Sequence, residues 1–298
     1  MRMLDEDVSS IIAYLRSKYN LKNIRAISRK EFTVNLHFQC SINGKEYLLK
    51  MYFVHDGNVD YVKRKAEIES EFYLSQGKTF NLPKVIEYGS MPPFILMEKK
   101  ESSRLSKFTI DHLRLKEIMN ILRAFHKLKP FSKKVISTNF TPSMCIGYAF
   151  DLYEKRIISR KEVKFIESIF SENKGLLSDV KKTIVHGDAT LNNFSIVNGK
   201  IQIWDFERVR IDIPLYDLAT LYIDLNHISE KTFLRGYQKH LSDKDLKLFR
   251  MMLIRRILEC LRSYIYRRCF GKKDRQNTRA QMQRDLRLLN RLRKNWRN

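Results

Sequence analysis

The segment Ile184–Ala219, IVHGDATLNNFSIVNGKIQIWDFERVRIDIPLYDLA, constrains this chain more than any other. Two short apolar runs, Ile184-Val185 and Ile201-Gln202-Ile203-Trp204, read as strands, with Asn198-Gly199 as a turn between them. The first run delivers His186-Gly187-Asp188 into a turn, and Asn193 follows five residues after the aspartate. The second run ends on Asp205-Phe206. Two strand ends therefore present two carboxylates and one amide oxygen. These are hard oxygen donors, the set that Mg²⁺ takes when it is shared with substrate phosphates. A carboxylate left off the metal can orient and deprotonate an attacking hydroxyl. Taken singly, His186 reads as a core histidine, Asp188 as a turn residue and Asp205 as a strand-end cap. Order and spacing carry the chemistry.

The rest of the chain supplies a frame for that segment. Val8 to Tyr19 has helical spacing. From Ile27 to Phe53 the pattern turns to strands: Val34, Leu36, Phe38 and Cys40 alternate with polar residues, Asn43-Gly44 makes a turn, and YLLKMYF follows. Two β-rich runs joined through Asn-Gly predict a hairpin, because the type I′ turn needs positive φ at both central positions. Tyr61 to Gln76 reads as a charged helix, Leu82-Pro83 opens a strand-like passage, and Phe94-Ile95-Leu96-Met97 reads as a buried strand ending at Glu98. Leu115, Ile118, Leu122 and Phe125 mark a long helix that closes at Lys129-Pro130. Beyond it the chain reads as mainly helical. The expected architecture is α+β, with a small β-rich lobe over residues 1–97 and a larger helical lobe over 98–298.

Charge is the abnormal quantity. The 298 residues hold 57 Lys and Arg against 33 Asp and Glu, a net charge of +24. Residues 251–298 contain fifteen Arg or Lys and three acids, so half of the excess lies there. Leu253, Ile254, Ile257, Leu258, Leu261, Tyr264 and Ile265, then Met282, Leu286, Leu289, Leu292 and Trp296, predict two amphipathic helices with a break at Phe270-Gly271-Lys272-Lys273. Arginine on their remaining faces is either a solvated surface or a contact for lipid headgroups or an RNA backbone. Four scattered cysteines without a CxxC pair predict free thiols in a reducing compartment. No apolar run approaches the roughly 20 residues of a membrane span. The start, MRMLDEDVSS, lacks a signal-peptide layout, so the expected location is the cytoplasm, with contact at the inner face of a membrane as an option.

HGDxxxxN, a following Asp-Phe and then PxxDLA resemble the aminoglycoside phosphotransferase and lipopolysaccharide-kinase group of the protein-kinase-like superfamily. The resemblance implies a two-lobed protein-kinase-like fold and transfer of the γ-phosphoryl group of ATP, with Mg²⁺, to a hydroxyl. Carried over, Asp188 resembles the catalytic base, while Asn193 and Asp205 resemble the metal ligands. His186 and Asp217 resemble structural braces of the loop. Lys50, on the second hairpin strand, resembles the lysine that bridges α- and β-phosphates. Glu67, Glu69 and Glu71 are the candidates for its helix partner, and Glu69 is chosen because it precedes the aromatic pair Phe72-Tyr73 by three residues. Met97 and Glu98 resemble the start of the hinge against adenine. The stretch Leu122–Leu128 resembles the long helix of the larger lobe. One departure stands out: Ser28 to Asn35, where a phosphate-covering loop belongs, contains no glycine. The absence of GxxxxGK[ST] excludes P-loop NTPases.

A host at +24 repels cations such as aminoglycosides and choline, so the expected acceptor is an anionic small molecule or sugar. Phe233-Leu234-Arg235-Gly236-Tyr237 resembles the larger lobe of lipopolysaccharide-kinase-like proteins, whose acceptors are lipid-linked sugars. An RNA hydroxyl kinase and a non-catalytic module that binds nucleotide or RNA are the alternatives.

Overall fold

A computed structural model describes residues 2–27, 35–52, 59–105, 110–266 and 272–296. The glycine-free stretch Ser28–Val34, the residues Phe53 and Cys269, and Phe270-Gly271 of the expected break lie outside the described residues, whereas Lys272 and Lys273, expected in that break, open a helix. In chain order the elements are α1 (Arg2–Tyr19), β1 (Lys22–Ala26), β2 (Asn35–Ile42), β3 (Lys45–Tyr52), α2 (Val59–Gln76), β4 (Val85–Ser90), β5 (Pro93–Glu98) and β6 (Ser103–Arg104). There follow α3 (His112–Phe125), α4 (Pro142–Glu154), α5 (Arg160–Glu172), α6 (Lys174–Ser178), β7 (Thr183–Val185), β8 (Phe194–Val197), β9 (Lys200–Ile203) and β10 (Arg210–Asp212). Four helices close the chain: α7 (Leu215–Asp224), α8 (Glu230–Tyr237), α9 (Asp243–Tyr266) and α10 (Lys272–Asn295).

These elements form two compact units that interleave in sequence. Met1–Arg104, Pro130–Val135 and Ser195–Val209 make the first; Leu105–Lys129, Ile136–Phe194 and Arg210–Asn298 make the second. The expected division at 97/98 is linear in the chain, whereas Ser195–Val209, with Asp205, lies in the first unit.

The first unit is built on an antiparallel sheet of order β1-β2-β3-β5-β4. Its hairpin turns at Asn43 and Gly44, both with positive φ (50° and 78°), the conformation that Asn-Gly supplies at little steric cost. Alternation along β3 then sorts its side chains. Leu49 and Met51 join Ile11 and Leu15 of α1 in a core with Cys40 and Leu96. Lys50 and Tyr52 point to the other face, because successive strand residues alternate.

In the second unit α9 is the central element: Met251 to Ile254, Ile257, Leu258 and Leu261 are all fully buried. Helix starts here follow local chemistry. Asp111 caps α3 by accepting from the Arg114 N–H at 2.7 Å, and Ser159 with Glu162 forms a capping box on α5. β7 pairs antiparallel with β10, Val185 opposite Arg210, which sets the loop that follows β7. β1, β6, β8 and β10 lie outside the strand-like runs of the sequence; β1 (KNIRA), β6 (SR) and β10 (RID) hold too few apolar residues to stand out.

Candidate active site

In the first unit, Lys50 sits among carboxylates. Its Nζ lies 2.6 Å from Glu69, 2.6 Å from Asp205 and 3.6 Å from Glu207, and its side chain is 5% exposed. Of the three candidate helix partners, Glu69 meets Lys50, while Glu67 and Glu71 pair with Lys134. Helical phase explains this choice. Glu69, Phe72 and Tyr73 share one face of α2 by their i, i+3, i+4 spacing. Phe72 stacks on Phe206 at 4.0 Å and Tyr73 meets it edge-on at 5.3 Å. The ring that follows Asp205 is thus gripped by the helix that presents Glu69. Asp205 adopts φ 67°, ψ 67°, a left-handed conformation that aspartate enters more readily than most non-glycine residues.

Glu207, third after the Asp-Phe pair begins, is a residue whose role the sequence left unread. It is buried, accepts from the Asn35 amide at 2.6 Å and pairs with Lys65 at 3.0 Å. Burial pushes Glu69 up to about 7 against the pull of Lys50. Burial also works against ionised Glu207, but Lys50 and Lys65 outweigh it and hold that carboxyl down at about 2. A depressed carboxylate adds stability above its ordinary value of 4.5 and loses it as pH falls toward 2. Glu207→Gln is therefore expected to remove about 2 kcal/mol of the stability lost between pH 6 and pH 3. Urea unfolding of both proteins at intervals from pH 6 to pH 3 checks this; equal acid slopes would contradict it.

Met97 and Glu98 end β5. Met97 is 2% exposed. The Glu98 N–H donates to the Lys84 carbonyl at 2.9 Å and its carboxylate pairs with Lys45 at 2.8 Å. Both groups of Glu98 are thus engaged within the sheet.

The second unit holds the loop after β7. Asp217 is fully buried and accepts from the backbone N–H of His186 (2.7 Å) and of Gly187 (2.8 Å), while His126 Nε2 lies 3.0 Å from it. Burial works against its charge, but His126 and the backbone donors outweigh that and hold its carboxyl below the usual range. Gly187 has φ 80°, the conformation that lets the chain turn out of β7 toward Asp188. The Asn193 side-chain N–H donates to the Asp188 carbonyl at 2.7 Å. Leu191 N–H donates to Asp224, which is paired in turn with Arg284 of α10.

Sequence reasoning missed the partner of Asp188. Arg256 on α9 places Nη2 2.7 Å from Asp188 Oδ1 and Nη1 3.2 Å from the Tyr216 hydroxyl, which itself donates to Glu259. Arg255 beside it forks onto both oxygens of Asp212, at 3.0 and 2.9 Å. Arg210 and Arg255 also lie over the Tyr216 ring, at 4.4 and 4.5 Å. The basic C-terminal helices are in this way partly internal. Arg255, Arg256, Arg262, Arg284 and Arg293 pair with Asp212, Asp188, Asp151, Asp224 and Glu162 respectively. Burial of the apolar stripe carries Arg255 and Arg256 inward, to 5% and 12% exposed, and each then needs a carboxylate.

Asp205 in the first unit and Asn193 in the second each carry an oxygen donor of the kind Mg²⁺ takes. Asp205 offers a half-exposed carboxylate, and Asn193 is tethered through its amide nitrogen, which leaves an oxygen as the donor end. Carboxylate oxygens of Glu69, Asp205 and Glu207 lie within 4.8 Å of one another, but Lys50 already supplies their counter-charge. That cluster is a lysine's setting rather than a second cation cage.

The model of the phosphotransferase enzyme family matches residues 43–250, about 70% of the chain. The chain belongs to that family. It is an ATP-dependent phosphotransferase acting on a hydroxyl group. Among solved structures, a choline kinase from Streptococcus pneumoniae is similar at 21% identity and TM-score 0.66, over 95% of this chain and 98% of that one. An ADP-bound aminoglycoside phosphotransferase matches at 16% identity and TM-score 0.62, over 92% and 97%. An ethanolamine kinase from Plasmodium vivax matches at 16% and 0.62, over 93% and 85%. At these identities the likeness establishes the protein-kinase-like fold, α+β with a β-sheet N-terminal region and a largely helical remainder. A search of curated proteins finds no match. No helix among the described residues is long and apolar enough to cross a membrane.

Proposed function

We propose that this family member transfers the γ-phosphoryl group of ATP to the hydroxyl of a small anionic acceptor, a sugar or glycolipid-like compound. The first unit serves as the nucleotide lobe: Lys50, braced by Glu69, holds the phosphates, and the end of β5 at Met97 and Glu98 borders adenine. In the second unit Asp188 orients the acceptor hydroxyl and takes its proton as the oxygen attacks phosphorus and ADP departs. Asp205 and Asn193 would hold Mg²⁺, which neutralises charge on the phosphate oxygens when bound. Asp217, His186 and Gly187 keep the loop in place.

The observation that carries the acceptor class is the pair between Asp188 and Arg256. Selecting a cationic acceptor calls for carboxylates in excess around the base. Here the carboxylates around Tyr216 are matched by Arg210, Arg255 and Arg256. A quaternary ammonium or an aminoglycoside would approach a base already facing a guanidinium; an anionic group gains from that same charge. The test is transfer of labelled phosphate from ATP to choline, kanamycin, glucose, glycerol 3-phosphate and a phosphorylated sugar. Turnover of the anionic members in preference to both cations is the expected outcome. Choline or kanamycin as the best acceptor would overturn the assignment of class.

A further inference from the structure

We infer that the solvent face of α10 is a docking strip for the phosphate backbone of a nucleic acid, a property separate from phosphoryl transfer. α10 spends its apolar stripe inside the second unit: Leu288, Leu289 and Leu292 are buried, Trp296 meets the Phe165 ring edge-on at 5.8 Å, and Asp285 accepts from the Tyr264 hydroxyl. What faces solvent is Arg275, Arg279, Arg287, Arg291 and Lys294. At 100° per residue these five fall in the arc opposite the buried leucines, and Arg275 to Arg291 climbs about 24 Å of helix. No exposed residue described on the helix is a carboxylate.

Two features select nucleic acid over a lipid surface. An interfacial helix binds a bilayer by sinking apolar side chains below the headgroups, and α10 exposes no large apolar residue with which to do so. Between the cations lie Gln276, Asn277, Gln281 and Gln283, all exposed. Such amides donate to and accept from phosphates, sugars and bases along a strand. Four of the five cations are arginines, whose planar fork matches a phosphate. Binding of this kind is independent of sequence and weakens with salt by counterion release.

The experiment is fluorescence anisotropy of a labelled 20-nucleotide mixed-sequence RNA with the full chain, from 50 to 300 mM KCl, with phosphatidylglycerol vesicles in a parallel flotation. The wild-type chain is expected to bind the RNA with a steep negative slope of log affinity against log salt. The triple variant Arg275→Glu, Arg279→Glu, Arg287→Glu is expected to bind about 100-fold more weakly, with a slope shallower by about 2. Those three side chains lie outside the buried stripe, and an unchanged melting curve confirms that the variant folds. Asp188→Asn, which removes the base, is expected to bind RNA like wild type, so failure of the assigned phosphotransfer and failure of the docking strip read out separately. The inference is overturned if wild type shows no RNA binding at 50 mM salt. Equal RNA affinities for wild type and triple variant, or a charge-dependent loss confined to the vesicles, would overturn it equally.

Discussion

Asp188→Asn is expected to lower phosphoryl transfer by about 10²- to 10⁴-fold, the usual range for loss of a positioned general base. The amide keeps the shape of the side chain and loses the ability to take the hydroxyl proton. Lys50, Glu69 and Asp205 belong to the first unit and are untouched, so KM for ATP is expected to stay within a few-fold of wild type. Stability changes for a separate reason. Arg256 is 12% exposed and loses the anion at 2.7 Å, which leaves a nearly buried guanidinium facing an amide. Its Nε has no hydrogen-bond partner, so little else compensates. The double variant Asp188→Asn/Arg256→Gln is expected to recover part of the lost melting temperature and none of the turnover. Steady-state kinetics and thermal melts on the two proteins check both halves. Unchanged turnover in Asp188→Asn would remove Asp188 from the role of base.

Lys50→Met carries the largest expected cost to the fold together with loss of the nucleotide. Methionine matches the length of the stem but removes the one charge that Glu69, Asp205 and Glu207 share. Breaking a buried ion pair by deleting one partner costs about 3–5 kcal/mol, because the other charge stays buried. Glu69 moderates this cost in a pH-dependent way. Its carboxyl already sits near 7 through burial, and without Lys50 it moves higher still. It is then neutral at pH 6, whereas at higher pH ionisation works against the fold. The destabilisation is therefore expected to be smaller at pH 6 than at pH 8.5, as read by urea midpoints. Calorimetric titration with ADP is expected to show affinity reduced more than tenfold at either pH. Tight ADP binding by the variant would show that Lys50 does not hold the phosphates.

Parts of this site were legible because their causes are local. The hairpin under Lys50 follows from Asn43-Gly44, whose positive φ values few other residue pairs supply. The strand ending at Val185 and the turn at Gly187 follow from a short apolar run and a glycine in a left-handed conformation. The choice of Glu69 followed from its distance to Phe72-Tyr73, and the stacking of Phe72 on Phe206 supplies the physical ground for that spacing.

Arg256 was not legible. It lies 68 residues after Asp188 on a helix whose apolar positions read only as an amphipathic stripe. Glu207 was visible as a residue and silent as a partner, since Lys65 lies 142 residues away and Asn35 lies 172 away.

By itself the sequence determined the donor chemistry: which oxygens stand at the ends of β7 and β9, which lysine lies in β3, and how the turns close. Those depend on φ, on strand alternation and on side-chain identity, all set within a few residues. Tertiary structure alone decided how the charge is used. The same arginine composition on α9 and α10 divides into side chains paired with Asp188, Asp212 and Asp224, and side chains left in solvent at Arg275, Arg279, Arg287 and Lys294. Helix packing sets which is which. A charge carried inside with an apolar stripe must find its counter-charge there, and one on the opposite arc need not.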